Sequence, residues 1–170
     1  MSYKKGAIGF AIVVSICAVL GSSPLNLAQS AEQTYDVDVC VSMESSSPLV
    51  SSQEMTIFNF EAKGIMRSNT ESNVFDNCTQ DTKGVAMIEG KNMSVYAYMK
   101  YLDPEGDYVI FRYTQNPGEK AATTTILAGT GKWKGITGGG KAVRIAVGKP
   151  VVEGTMQFCN NHKGTFTVPK

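Results

Sequence analysis

The chemistry open to this chain is limited first by its single histidine. Nucleophilic catalysis of the Ser-His-Asp or Cys-His kind needs a histidine that a partner side chain holds in place. His162 is the only histidine among the 170 residues, and it lies in the polar segment Asn160-Asn161-His162-Lys163-Gly164. Such a segment is typical of a turn between two strands. The sequence therefore predicts a solvated turn histidine beside a cation, and not a catalytic base.

A metal site is the second chemistry that the residue types allow. A zinc site needs about four nitrogen or sulfur ligands, and Cys40, Cys78 and Cys159 together with His162 make a set of that size. However, no Cys-x-x-Cys pair is present, and the export signal described below places the chain under oxidising conditions, which favour disulfides. We therefore expect no metal and no other cofactor.

Two charged residues lie in apolar segments and are candidate ligand contacts. Glu61 comes late in the candidate strand Glu54–Arg67, and Arg112 lies in another candidate strand with apolar neighbours. Inside a barrel, either side chain could orient a polar ligand atom, and a buried glutamate with a raised pKa could act as a base. The alternative is a solvated position near the barrel rim, with Glu61 paired to Lys63 or to water, and this alternative is favoured.

The elements that would position these residues are β-strands. No window shows a sustained apolar pattern at helical spacing, whereas alternation with a period of two recurs along the chain. In the first strand the apolar side chains share one face: Tyr35, Val37, Val39, Val41 and Met43. About eight short strands separated by turn residues predict an all-β fold, either an antiparallel barrel or a sandwich.

A glycine-rich segment, Gly129-Thr130-Gly131-Lys132-Trp133-Lys134-Gly135-Ile136-Thr137-Gly138-Gly139-Gly140, is the most distinctive motif. It is not a phosphate-binding loop, because Trp133 follows Lys132 where a Walker loop needs Ser or Thr, and its flanks are two strands. The glycines instead predict tight bends at a barrel corner. Trp133 would pack across that end of the barrel; an exposed Trp133 would instead be a candidate ligand contact.

Three segments together carry a resemblance to a known superfamily. They are Phe75-Asp76-Asn77-Cys78-Thr79, Asp103-Pro104-Glu105-Gly106-Asp107 and the glycine-rich segment. Over about residues 75–170 the chain resembles the allene oxide cyclase and dirigent-type barrel superfamily, and most of all its small secreted bacterial members. The resemblance implies an eight-stranded antiparallel barrel, often trimeric, but implies no activity. No stretch matches the site residues of that superfamily one by one, so none is transferred.

Residues 1–30 form a predicted secretory signal peptide, and residues 31–170 form the barrel domain. Lys4 and Lys5 precede an uncharged apolar run, Ala7–Leu20, which is shorter than the ~20 residues that a membrane-spanning helix needs. Ala28-Gln29-Ser30 then places small residues where a signal peptidase cleaves. We expect a periplasmic or secreted protein without a stable membrane anchor after cleavage; the alternative is an uncleaved N-terminal anchor.

Export leaves three cysteines in the mature chain, so one is unpaired if a disulfide forms. The expected bridge is Cys78–Cys159, with Cys40 free. Cys78 lies in an irregular segment that a bridge would tether, and the resemblance supports this pairing more than one that involves Cys40. The alternative is three unpaired, partly buried thiols.

Assembly is the next expectation, because the strand Asn92–Leu102 has large side chains on both faces. Tyr96 and Tyr98 alternate with apolar residues and share their face with polar ones, so the tyrosine face is predicted to be the outer one. Tyrosine is enriched at protein interfaces. We expect a homo-oligomer through this face, with a trimer implied only by the resemblance; cover from the loop Ser68–Asp81 is the alternative.

The function that these observations favour is binding rather than catalysis. The formal net charge of +1 excludes a strongly basic nucleic-acid binder. Small closed barrels either fill with side chains or keep a cavity for one ligand. We expect a non-enzymatic exported barrel that binds a small, largely apolar ligand or serves as an interaction module. The alternatives are an isomerase or cyclase that acts by shaping its substrate, and a structural protein with a filled core.

Overall fold

The computed structural model describes residues 31–46 and 48–169, so the predicted signal segment lies outside the described residues. Within this part of the chain, no helix is long and apolar enough to cross a membrane. Apart from one turn of 3-10 helix at Gly131–Trp133, the regular structure is all β. The strands are β1 Gln33–Ser45, β2 Val50–Ser51, β3 Met55–Ser68, β4 Thr79–Glu89, β5 Asn92–Leu102, β6 Tyr108–Gln115, β7 Ala121–Gly129, β8 Thr137–Val147 and β9 Thr155–Thr167.

The strands form a closed antiparallel barrel. The order around the sheet is β1-β9-β8-β7-β6-β5-β4-β3, and β3 pairs again with β1 to close the ring, while the two-residue β2 adds to the outer edge of β3. The predicted all-β, eight-stranded antiparallel barrel is confirmed. Within the described residues, closure leaves no long strand edge unpaired, and it places β5 opposite β9 and β4 opposite β8.

The period of two decides which side chains enter the barrel. In β1 the residues Tyr35, Val37 and Val39 are almost completely buried, and Asp36 and Asp38 between them face outward. Strand β5 follows the same rule, because Ala97 is buried and Tyr96 is exposed on the outside. The alternation read from the sequence therefore assigns the inner and outer faces correctly.

One end of the barrel is closed by packed aromatic rings. Phe75 lies at the centre of this aromatic plug, and its ring centroid is 5.1 Å from that of Trp133 and 5.9 Å from that of Tyr101. The other members are Tyr35, Phe111 and Phe166. Edge-on and tilted ring pairs at these distances are the favourable geometries for aromatic side chains. The plug therefore seals this end with a dry core.

The loop between β3 and β4 supplies Phe75 to the plug. Phe75 has a φ of 60°, and Asn73 and Asn77 on either side also have positive φ. This backbone turns the ring inward, so that only 3% of Phe75 is exposed. Cys78 at the end of the loop is also buried, and its amide donates to the carbonyl of Phe75. The loop packs into the barrel end, so it does not provide the cover for Tyr96 that was the alternative to an interface.

The hairpin turn at Asp103–Asp107 and the glycine-rich corner meet at the same end. The Asp103 carboxylate accepts hydrogen bonds from the Glu105 and Asp107 amides through Oδ1 and from Trp133 Nε1 through Oδ2. Burial raises the pKa of Asp103, but these hydrogen bonds and one from Lys132 outweigh it, so the pKa lies below its ordinary value. The carboxylate thus joins the turn to the corner, where Trp133 packs as the sequence predicts.

The glycines of this corner are needed where strands approach closely. A β-carbon at Gly138 would collide with the carbonyl oxygen of Thr165, and Gly138 also has a φ of 136°. Gly140 meets the carbonyl of Lys163 in the same way. A larger residue at either position would push β8 away from β9, and at Gly138 the positive φ also favours glycine.

Two local expectations are wrong. The segment Asn160-Asn161 is not a turn, because β9 runs without a break from Thr155 to Thr167 and pairs with β1 and β8 on its two sides. His162 is consequently not solvated: only 2% of it is exposed. Two neighbouring strands satisfy the backbone of this polar segment, and this pairing overrides its local turn preference.

The expected Cys78–Cys159 disulfide is also wrong. The bridge joins Cys40 to Cys159, which face each other directly in the antiparallel register of β1 and β9 with 4.0 Å between their Cα atoms. Cys78 is free and buried on the inside of the fold, and burial raises the pKa of its thiol to about 12. The disulfide removes Cys40 and Cys159 from the set of possible zinc ligands.

Candidate functional site

The barrel interior is not completely filled. Above the aromatic plug lies a cavity of about 230 Å³, which reaches the surface beside the partly exposed Met93 and Met156. A protein cavity of roughly 150 Å³ is large enough to bind benzene. The walls are mainly apolar and come from β1, β3, β4, β5, β6, β8 and β9. The apolar and aromatic lining residues are Val39, Val41, Met43, Phe58, Phe60, Ala62, Ala86, Ile88, Met93, Val95, Ala97, Met99, Tyr113, Met156 and Phe158.

The floor of the cavity is a hydrogen bond that crosses the barrel. The Tyr101 hydroxyl on β5 lies 2.8 Å from Nδ1 of His162 on β9, the strand directly opposite. Burial lowers the pKa of His162 to about 4, and burial also raises the pKa of Tyr101 well above its ordinary value. Both groups are therefore neutral at pH 7. They join opposite walls at the upper side of the plug, to which the Tyr101 ring itself belongs.

A buried amide lies beside this floor. Gln80 on β4 is 7% exposed and lines the cavity. Its Nε2 donates to Oγ1 of Thr82 over 2.7 Å, whereas its Oε1 is buried without a hydrogen-bond partner. A buried polar atom without a partner is unfavourable and is rare in native proteins. The Gln80 amide is thus the polar group in the cavity wall that most needs a partner.

The opposite wall has an interruption near its upper end. Strand β7 begins at Ala121, which pairs with Val143, so residues 144–147 of β8 pair only with β9 in the described part of the chain. The β8–β9 register also shifts between Arg144 and Ala146. A bulge of this kind re-aims side chains. Arg144 lines the cavity at this point, and the residue as a whole is exposed to solvent.

Arg144 is the one cation among the described lining residues. Its guanidinium carbon lies 3.7 Å from the ring centroid of Phe158, and its Nε donates to Oδ1 of Asn160 over 2.7 Å. Partial burial lowers the pKa of Arg144 from its ordinary value, but a guanidinium stays charged at neutral pH. Within the described residues, no carboxylate forms an ion pair with it.

The three candidate contacts proposed from the sequence lie elsewhere. Glu61 is exposed on the outer face of β3, where its carboxylate pairs with Lys83 at 2.9 Å rather than with Lys63. Arg112 lies beside Tyr98 in the register of β5 and β6, a position on the outer face. Trp133 belongs to the aromatic plug. None of the three side chains lines the internal cavity.

The polar residues that line the internal cavity are hard to recognise from the sequence. Gln80 lies in a polar segment that was not included in a predicted strand, and His162 lies in a predicted turn. Arg144 comes two residues after Ala142, which is buried on the inner face, so alternation with a period of two places Arg144 on the inner face as well. Continuing the alternation backward from Ala86 through Thr82 to Gln80 is the one pattern that could have found the buried amide.

An outer groove of about 660 Å³ lies on the face of β3, β4 and β5. The Tyr96 and Tyr98 hydroxyls are 2.9 Å apart above it, and 42% and 49% of these residues are exposed. The hydrogen bond to Tyr96 raises the pKa of Tyr98. The Glu61–Lys83 ion pair lies on the same face. This mixture of rings and paired charges makes an open, outward surface rather than an enclosed site.

Comparison with known proteins supports the fold. The chain is similar to the pterocarpan synthase dirigent protein PsPTS1, with 14% sequence identity, a TM-score of 0.51, and coverage of 81% of this chain and 97% of that one. It is also similar to the pterocarpan synthase dirigent protein GePTS1, with 16% identity, a TM-score of 0.48, and coverage of 86% and 97%. No family profile and no curated protein matches the chain. The match to PsPTS1 confirms the dirigent-type barrel as a fold, and as a fold alone.

Proposed function

We propose that this protein is an exported barrel that binds a small, largely apolar molecule in its internal cavity. The observation that carries the proposal is the cavity itself, which lies above a closed floor and has mainly apolar walls with a few polar groups. That combination is typical of small-molecule binding sites. The Cys40–Cys159 disulfide supports export, because disulfides form and persist in oxidising compartments.

Binding is favoured over catalysis by the residues that line the cavity. Its described lining contains no carboxylate, and the one histidine has a pKa of about 4, so it is a poor proton acceptor at pH 7. An isomerase or cyclase that works by shape and electrostatics alone remains the second candidate. The polar groups on opposite walls favour that candidate, because they could hold a bound molecule in one conformation.

The test is to find the ligand and then to fill the cavity. Native mass spectrometry of the protein from its own exported fraction is expected to show an added small molecule. Ala97→Phe places a ring in the cavity, because Ala97 is 1% exposed and lines it, so this variant should lose the added mass and the binding of naphthalene. The control Val143→Phe adds the same ring on the outer face of the barrel, at a residue that is 44% exposed and lies away from both the cavity and the tyrosine face.

Equal naphthalene binding by the two variants, or no binding by the wild type, would overturn the proposal. If the protein instead converts the recovered molecule to an isomer with multiple turnovers, the enzyme candidate replaces the carrier. Thermal melting of each variant shows whether loss of binding reflects a filled cavity or an unfolded chain.

We also propose that copies of this chain associate through the outer face that carries Tyr96 and Tyr98. No described loop covers these rings, and Val85 beside them is 36% exposed. Light scattering at micromolar concentration is expected to give a mass above that of one chain. Tyr96→Lys combined with Tyr98→Lys should reduce it to the monomer, because cationic side chains would repel one another across the interface.

The control for this assembly is Ile145→Lys, which adds a cation at a residue that is 51% exposed on β8. It should leave the mass unchanged. A wild-type monomer, or a mass that the control lowers as much as the tyrosine double variant does, would contradict an interface at this face.

A further inference from the structure

Methionine side chains are concentrated around the internal cavity, and two of them lie at its mouth. The methionines in the cavity wall are Met43, Met93, Met99 and Met156. Met93 and Met156 are each the second residue of a strand, β5 and β9, that begins at the open end of the barrel. Since β5 lies opposite β9 in the closed sheet, these two side chains line opposite sides of the mouth. We call them the mouth methionines.

The mouth methionines are also the most exposed methionines in the described part of the chain. Met156 is 43% exposed and Met93 is 36% exposed. The other described methionines are half-buried or buried, and deep in the fold Met99 and Met66 are 2% and 0% exposed. The rate at which a methionine is oxidised follows its exposure. A water-borne oxidant therefore reaches the sulfur atoms at the mouth before those inside the barrel.

The cysteines of the barrel do not compete for such an oxidant. Cys40 and Cys159 are already joined in a disulfide. Cys78 is buried, and burial raises the pKa of its thiol to about 12. The reactive form of a cysteine is the thiolate, which is scarce at pH 7 when the pKa is so high. Among the described residues, the mouth methionines are thus the first sulfur groups that a peroxide would oxidise.

Oxidation changes the character of the mouth. The lone pair on a methionine Sδ attacks one oxygen of a peroxide, the O–O bond breaks, and a sulfoxide S–O bond forms. The other oxygen leaves as water when the peroxide is hydrogen peroxide, so the sulfur loses two electrons and the peroxide gains them. A sulfoxide is polar where the thioether was apolar. A bound apolar molecule would then bury this polar group without a hydrogen bond, which is unfavourable.

We propose that Met93 and Met156 are oxidation sites that control the cavity: their conversion to methionine sulfoxide by a peroxide weakens the binding of apolar molecules, and reduction of the sulfoxides restores it. This rests on the binding role proposed above and adds its regulation. The expected location outside the cytoplasm, which the Cys40–Cys159 disulfide supports, is a compartment where oxidants act on the protein directly. Methionine sulfoxide reductases reverse the change, one enzyme for each sulfoxide epimer.

The first test oxidises the unmodified protein with a limited dose of hydrogen peroxide. Peptide mass spectrometry should show one added oxygen on Met93 and on Met156 before Met66 and Met99 are modified. At that dose the affinity for naphthalene should fall by roughly tenfold, because a polar group has entered the mouth. Treatment with both reductases and a dithiol should restore it. The dithiol alone is the control, since it can also open the disulfide.

The second test assigns the effect to the mouth methionines. The double variant Met93→Leu with Met156→Leu keeps apolar side chains of similar size but has no sulfur at the mouth. Its naphthalene affinity after peroxide should stay within about twofold of its own value before peroxide, if the tenfold polar penalty is absent. The matched control is Met55→Leu with Met87→Leu, because neither residue lines the cavity. This control should still show the roughly tenfold loss.

The outcomes separate this inference from the proposed function. If the unmodified protein binds naphthalene and keeps its affinity when both mouth methionines are oxidised, the binding role stands and the control by oxidation is overturned. Equal losses in the two double variants, oxidation of Met99 as fast as that of Met93, or no recovery with the reductases would also overturn it. If naphthalene does not bind the untreated protein, the binding role and its regulation both fail.

Discussion

Trp133→Ala is expected to lower the free energy of unfolding by about 2 to 3 kcal/mol, because the indole is half-buried against the core. The indole packs between Phe75 and Phe166, with ring centroids 5.1 and 6.0 Å away. Its loss would leave a void in the aromatic plug. It would also remove the Nε1 donor from Asp103, a carboxylate that is only 6% exposed. Both a cavity and a weakened buried charge are recognised causes of large destabilisation.

Chemical denaturation of the wild type and two variants separates these contributions. Trp133→Phe keeps a ring in the plug and loses only the hydrogen bond to Asp103, so it should cost about 1.5 kcal/mol, the low end for a bond to a charged group. Asp103 would still have Lys132 and two backbone donors. A loss below about 0.5 kcal/mol in Trp133→Ala would show that the plug does not depend on this ring.

The protein is expected to lose about 3 kcal/mol of stability as the pH falls from about 6.5 to about 4, because of one buried histidine. Burial lowers the pKa of His162 from 6.5 to about 4 in the folded protein. Over that interval the unfolded chain binds a proton at His162 and the folded chain does not. The unfolded state is therefore stabilised relative to the folded state as the pH falls. The loss of folding stability that His162 causes is complete below about pH 4.

The measurement is the free energy of unfolding at several pH values between 7 and 4. His162→Gln removes the titrating group and should flatten this part of the curve. Tyr101→Phe is the matched control: it removes the hydrogen bond to His162 but leaves the ring buried, so the acid loss should persist, since burial is the cause of the lowered pKa. The pKa values of Asp36 and Asp103 are lowered from 3.8, so the stability that these two carboxylates contribute is lost mainly below this interval. A wild-type curve without the loss would contradict a buried, neutral His162.

The cavity and its proposed ligand explain why a small barrel would keep polar groups inside. Gln80, Thr82 and His162 all occupy inward positions where apolar residues would pack more favourably in a filled core. A structural protein with a filled interior, which was one of the alternatives, would have no need of them. The observed cavity removes that alternative, because an apolar space of about 230 Å³ remains above the plug.

The sequence by itself determined the class of fold, the inner and outer faces of the strands, and the main turns. These are local properties: alternation assigns Tyr35 inward and Tyr96 outward, and the Pro and Gly residues of the Asp103–Asp107 turn favour a hairpin. The corner at Trp133 is likewise local, because the glycines around it prescribe tight bends. Each of these predictions depends only on residues close together in the chain.

The disulfide, the buried histidine and the cavity were decided only by the tertiary structure. Cys40 meets Cys159 because β1 pairs with β9 across 119 residues in one particular register. The same pairing keeps His162 inside a strand that its polar neighbours disfavour. Gln80 and Arg144 come to line one cavity because closure of the sheet places β4 opposite β8. Such relations depend on register and closure, which are set by the packing of all eight strands together and leave no pattern within any one of them.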